Sequence, residues 1–412
     1  MSRIVVPLWL IIAIVCLSPF GEGLYAPSLP NITLSLKITE NTAEHTMTFF
    51  LVGFAIGICF WGMISDRIGR RQTLIISLGL YVLGCIGCLL SETITSLMMC
   101  RFVQALGGSA CTGIGQAIAR DVYGSMARNR LFSIAGIAVS LAAGIGPIMG
   151  GIMVEHYRWS SIFGILLIAS FSLWGYIILS LQETNPFLKR TSNPYTLKQG
   201  FGTLLKDKAL LNLVILMGTA NGLIYCFYSE GSFFLIESLG LKPSQYGWLY
   251  FIVCLGYTGG SLYSKGLHER GLSYQRILNR ACIVLLGSTI PWAFLTVSGF
   301  INLHHPTESI ILSTIFLTGS FFSIGIMIPN ALANALENYR EHAGTMASVF
   351  CSSYFLIAAF INFMISVLHN GTLLVMPLYY TALAMIVWSV HQNNLDNTYA
   401  SLETDSSQSK AS

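Results

Sequence analysis

Two carboxylates stand where their neighbours look like bilayer. Glu22 lies between two glycines in residues 17–28 (LSPFGEGLYAPS), which close an apolar run beginning at Ile4. Glu230 lies in residues 228–233 (YSEGSF), with the same order of aromatic, small residue, Glu, Gly, any residue and aromatic. A charge at bilayer depth costs about 2.5–3.5 kcal/mol on insertion scales, so such a group is neutralised, paired or turned to a cavity. The chemistry open to it is reversible protonation. About half of the 412 residues separate the two acids, so the pattern predicts one acidic site built twice, in two related halves. Arg101 and Gln104 (in RFVQALGG), Asn221, Tyr25 and Tyr228 are the other polar or aromatic candidates at that depth. Several of these groups have a plainer alternative. An arginine at a span end commonly snorkels to the interface. Aromatic residues there commonly form the interfacial belt, and Glu230 could sit at a wet outer mouth.

The elements that must hold these groups follow from composition. The chain is 54% hydrophobic and 10% charged, against about 25% charged in a soluble domain. This predicts an all-α membrane protein. Its apolar runs suit helices of roughly 20 residues and are too continuous for barrel strands, which alternate over about 10. Twelve segments are expected, over 5–28, 46–65, 73–92, 98–119, 131–153, 160–181, 209–236, 244–264, 277–298, 308–330, 344–367 and 373–391. The first is read as an uncleaved helix, since no A-x-A site follows it. The widest polar gap parts six spans from six. The predicted organisation is an N-terminal six-helix bundle (1–181), a cytoplasmic central loop (182–208), a C-terminal six-helix bundle (209–391) and a disordered, Ser-rich tail (392–412). Of the 22 lysines and arginines, all but Lys37, Arg101, Arg158 and Lys242 fall on the side of both termini and the central gap, which places that side in the cytoplasm.

Other chemistries find no support. The ten cysteines lie in apolar stretches, and the Cys85–Cys88 pair sits inside a span without a second pair, so packing explains them. The eight histidines lie at helix ends or loops, without metal-ligand spacing. No phosphate loop of the G-x-x-x-x-G-K-[ST] type occurs, which argues against an ATP-driven pump. The net charge of +4 forms no basic patch for nucleic acid. No catalytic constellation suggests an enzyme. No cofactor or metal is expected, only a proton gradient.

Residues 62–71 read GMISDRIGRR. Topology alone accounts for the arginines but not for the spacing of Gly62, Asp66, Arg67, Gly69, Arg70 and Arg71. The stretch resembles the G-x-x-x-D-R-x-G-R-R signature of the major facilitator superfamily at every signature position. The resemblance implies a cytoplasmic latch, with Asp66 facing a helix N-terminus of the other half, near residues 341–345 (EHAGT). A carboxylate so placed gains roughly 0.3–1 kcal/mol. The second-half counterpart, residues 260–270 (GSLYSKGLHER), carries Ser264 and Lys265 in place of Asp and Arg.

Arg101, Gln104, Gly107 and Gly108 resemble a second superfamily motif, with Ala105 where a Gly is usual. This implies an inward arginine involved in proton coupling and able to pair with Glu22. Residues 119–123 (ARDVY) and 25–32 (YAPSLPNI) are similar to stretches of the bicyclomycin/chloramphenicol-resistance subfamily. That subfamily commonly has an Asp two residues before the Tyr. Here Gly23 holds that place and Glu22 lies beside it, about 100° around a helix. Residues 142–151 (AAGIGPIMGG) resemble the antiporter motif, matching at Gly146, Pro147, Gly150 and Gly151, with Ala142 at its first position. Small residues in a span also serve close packing, and a proline kinks it.

The resemblance implies two pseudo-symmetric bundles rocking about a central cavity. It further implies proton-coupled efflux, by antiport, of small drug-like or amphiphilic molecules across a bacterial inner membrane, as in multidrug efflux and antibiotic resistance. The expected partners are a small-molecule substrate, protons and the lipid bilayer, and the expected working unit is a monomer. Export of an endogenous metabolite or siderophore, and proton-coupled uptake by symport, are the alternatives. Short loops leave little room for a receptor.

Overall fold

The computed structural model describes residues 6–185, 196–335, 339 and 343–392. The chain enters through α1 (Leu8–Tyr25), which passes by one tight turn (Ala26–Ser28) into α2 (Leu29–Leu36). Pro27 and Pro30 cannot donate to the helical ladder, and the Ser28 and Thr33 hydroxyls bond back to carbonyls one turn earlier. Such bonds serve where no water reaches. Five helices complete the first half: α3 (Glu40–Ile68), α4 (Arg70–Leu89), α5 (Ile94–Val122), α6 (Ser125–His156) and α7 (Ser161–Ser180).

The polar gap is more than a loop. It contains α8 (Leu197–Lys206), opened by a reciprocal Thr196–Gln199 capping box. Its buried Gly200 lies against Val349. This short amphipathic helix escaped the sequence reading because its apolar residues are few. Next come α9 (Lys208–Ser232), widening into π-type turns over Phe233–Ser238, and α10 (Pro243–Glu269). They are followed by α11 (Tyr274–Val297), α12 (Pro306–Ala335), α13 (Ala343–Leu368) and α14 over 375–392.

Counting α1–α2 as one and leaving out α8, twelve helices match the twelve expected segments. Nine of the described helices are individually long and apolar enough to cross a membrane. Leu179, Leu262 and Phe294 stay exposed, as suits faces that meet lipid. One boundary matters: α3 begins at Glu40, six residues before the expected span, so Glu40 and Glu44 are helical.

In the first half α3 and α4 pack on α5, α1 on α6, and α4 on α7. In the second, α9 packs on α13, and α10 and α11 on α12. Tyr380 Oη of α14 donates to the Leu223 carbonyl of α9 (2.5 Å). Two helix pairs join the halves. Along α3 and α13, which run antiparallel, Asn41 bonds the Ser366 carbonyl and Asn362 bonds Thr48. Phe54 packs on Phe355 and Gly62 meets Ser348. Between α6 and α10 the close approaches run from Gly144 against Phe251 to Gly151 against Pro243. Beyond them, Ser244 N donates to Glu155 Oε1 (2.7 Å). These α6–α10 contacts lie at the far end of the bundle, opposite Leu8 and Asp66.

Candidate functional site

Glu22 is 6% exposed, on the last turn of α1. Its Oε2 accepts the Tyr225 hydroxyl (2.8 Å), so one hydrogen bond crosses from the first half to the second. The glycines around it serve contact. Gly23 backs on Pro147, Gly146 on the backbone of Phe20 and Gly23, and Gly150 on the Leu24 backbone. A β-carbon would collide at each of these positions. The antiporter-like stretch is therefore the surface that the Glu22 turn rests on, and Gly151 presses on Pro243 across the interface.

Arg101 is fully buried on α5 and does not snorkel. Its guanidinium lies 4.2 Å from the ring centroids of both Tyr25 and Phe50. Nη1 donates to Gln104 Oε1 (2.7 Å), while Nε has no partner. Gln104 in turn donates to Cys85 Sγ, and Tyr25 Oη bonds Thr46 (2.6 Å). The expected pairing with Glu22 is not a direct ion pair; among the described residues no carboxylate lies within salt-bridge reach of Arg101. Two aromatic faces take that role, because cation–π attraction gains strength away from water.

The two acids do not form one site. Glu230 lies five residues after Tyr225, about 7.5 Å farther along α9 at 1.5 Å per residue. It is 2% exposed, so the wet-mouth alternative fails. Glu230 Oε2 bonds His369 Nδ1 (2.7 Å), and the other imidazole nitrogen, Nε2, meets Glu40. Burial alone would hold the His369 imidazole down, but the Glu230 and Glu40 carboxylates bonded to it push it up to about 9. Glu44 completes the cluster. It is fully buried, and neither carboxylate oxygen has a hydrogen-bond partner. Sequence spacing hid this group: Glu44 fell outside the expected span and His369 follows another span. Tyr228 stacks on Tyr250 (5.0 Å), and Asn221 spends its amide on the Met217 carbonyl of its own helix. Neither touches Glu22 by a hydrogen bond.

The signature stretch forms a network within its own half. Arg70 bonds Asp66 (2.7 Å), Ser65 and Asp121 (3.1 Å). Arg71 donates to the Ile178 carbonyl (2.8 Å), and Arg67 is exposed. Gly69 sits at φ 99°, ψ 162° and makes the turn between α3 and α4. Glu183, which the sequence did not single out, accepts the Arg70 and Arg71 backbone N–H groups at the start of α4. Gly62 packs on α13 at Ser348. The expected facing of Asp66 toward residues 341–345 falls partly outside the described residues; the Asp66 carboxylate is bonded to Arg70 of its own half.

Comparison with known proteins fits this architecture. The family model described as Major Facilitator Superfamily matches residues 11–363. An "uncharacterized transporter" of Rickettsia bellii is 30% identical over 379 residues, covering 89% of this chain and 91% of its own. A "bicyclomycin resistance protein homolog" of Haemophilus influenzae is 25% identical, covering 91% and 92%. The crystal structure of a POT family transporter in complex with 5-aminolevulinic acid superposes with a TM-score of 0.74 at 14% identity, over 94% of this chain and 95% of that one.

Proposed function

The chain belongs to the major facilitator superfamily and is a multi-pass membrane transporter; from that premise we propose that it exports small drug-like or amphiphilic molecules in exchange for protons, with Glu22 as the coupling carboxylate. The observation that carries this reading is the seat of Glu22. It is a buried acid on the turn that Gly146 and Gly150 support, hydrogen-bonded to Tyr225 of the opposite half. Rocking of the halves makes or breaks that bond, so the proton on Glu22 and the side to which it opens are linked. Arg101, held one helix away between Tyr25 and Phe50, keeps a fixed positive charge in the same half. The Arg70–Asp66–Asp121 network serves as the latch at the termini end, which we assign to the cytoplasm of a bacterial inner membrane. A proton moving down 100 mV yields about 2.3 kcal/mol, the energy available for export. The resistance-protein name of the Haemophilus relative supports efflux.

The test uses the purified chain in proteoliposomes, with an imposed pH gradient and ethidium as the amphiphilic cationic probe. Glu22→Gln should lower gradient-driven dye movement at least about tenfold while the protein inserts and unfolds as the native chain does. Undiminished movement in that variant refutes the assignment. Dye moving in the same direction as the protons would establish symport instead.

A further inference from the structure

We infer that Glu44, Glu230 and His369 form a binding site for one divalent first-row transition-metal ion, of the zinc class, joining the two halves at the far end of the bundle. A carboxylate oxygen of Glu44, one of Glu230 and an imidazole nitrogen of His369 all lie within 4.8 Å of one another. Glu44 comes from α3 of the first half; in the second, Glu230 comes from α9 and His369 directly follows α13. One nitrogen and two carboxylate oxygens are a donor set suited to zinc and its neighbours.

The independent pointer is Glu44. Fully buried and without any hydrogen-bond donor on either oxygen, it aims into this cluster. His369 is already engaged at both ring nitrogens, Nδ1 with Glu230 and Nε2 with Glu40. A buried carboxylate with no partner is costly, so something positive or proton-bearing belongs between Glu44 and Glu230. The imidazole is set up as a metal-ligating one would be. Nδ1 turns into the cluster, while Nε2 meets Glu40. A carboxylate on the second nitrogen is the usual support of a ligating histidine.

The loop is anchored as well: Asn41 Nδ2 donates to the His369 carbonyl (3.0 Å), and Phe233 packs on the ring (5.6 Å between centroids). Metal–ligand distances of about 2.0–2.2 Å ask the three groups to draw closer than the 4.8 Å within which they now lie. Binding displaces the imidazole proton. The site stands apart from the transport reading, since it requires only the fold and these side chains.

The experiment titrates ZnCl2 into the purified full-length chain in detergent by calorimetry, with MgCl2 as control. The expected result is one Zn2+ per chain and no Mg2+ uptake. Binding should be lost in Glu44→Gln and in His369→Gln, and weakened about 10–100-fold in Glu40→Gln, as for an outer-shell partner. Zn2+ should also raise the unfolding temperature of the native chain but not of Glu44→Gln. If Glu44→Gln does not fold, His369→Gln, outside the helix, tests the same site. Absence of saturable Zn2+ uptake, or uptake unchanged in His369→Gln, overturns the inference and leaves a shared proton between Glu44 and Glu230.

Discussion

Gly69 and Glu183 should act as one unit, and a double-mutant cycle can show it. Gly69 adopts φ 99°, ψ 162°, a region essentially reserved for glycine, where any other residue costs about 1–3 kcal/mol. A β-carbon there would also occupy the place of the Glu183 carboxylate. That carboxylate accepts the Arg70 and Arg71 N–H groups (2.9 and 3.1 Å), the first donors of α4. An anion on a helix N-terminus in a partly buried setting contributes up to about 2 kcal/mol. Gly69→Ala should therefore destabilise by about 2–5 kcal/mol, strain and lost cap together. Glu183→Ala alone should cost about 1–2 kcal/mol, the cap only. In the Gly69→Ala background, however, Glu183→Ala should cost almost nothing, because the cap is already displaced. The measurement is reversible unfolding in mixed micelles, followed by tryptophan fluorescence, on all four chains. If Glu183→Ala costs the same in both backgrounds, within about 0.5 kcal/mol, the two residues are independent and the capping argument fails.

Arg101→Lys keeps a charge but loses the planar fork that lies over Tyr25 and Phe50 and reaches Gln104. With a desolvated cation–π contact at about 2 kcal/mol, unfolding should be easier by about that much and dye transport should fall; a lysine variant equal to the native chain in both assays would show that charge alone suffices. Gly150→Ala should destabilise by about 1–3 kcal/mol, since its β-carbon meets the rigid Leu24 backbone. Gly164→Ala, with nothing within 4 Å, should be neutral or stabilising by up to about 1 kcal/mol, and equal effects at the two positions would contradict close α1–α6 packing.

Much of the fold was legible because its causes are local. Hydropathy picked the spans, and twelve helices stand where twelve apolar segments were read. Glu22 and Arg101 were visible as charges in apolar runs, and both are buried. The signature residues were visible through the family motif they resemble; Gly69 takes its unusual φ at the turn between α3 and α4, and Arg70 reaches back across that turn to Asp66. The misses also have local causes. Reading α3 from 46 instead of Glu40 put Glu44 in a loop. Had the helix been extended, Glu40 and Glu44 would have stood four apart on one face. Glu183 looked like an ordinary polar residue after a span, and nothing in its neighbourhood named α4 as its target.

By itself, then, the sequence determined which segments enter the membrane, which polar groups go with them and where the chain turns sharply, since these depend on side-chain transfer energies and single-residue backbone preferences. Tertiary structure alone decided which buried groups meet. Each residue along a helix advances about 1.5 Å and turns about 100°, so contact across helices depends on an axial offset and a rotation that packing sets. Small residues such as Gly23, Gly146 and Gly150 let helices approach until one such arrangement is left. That packing gave Glu22 to Tyr225 and sent Glu230, matched to Glu22 by sequence pattern, to Glu44 and His369 instead.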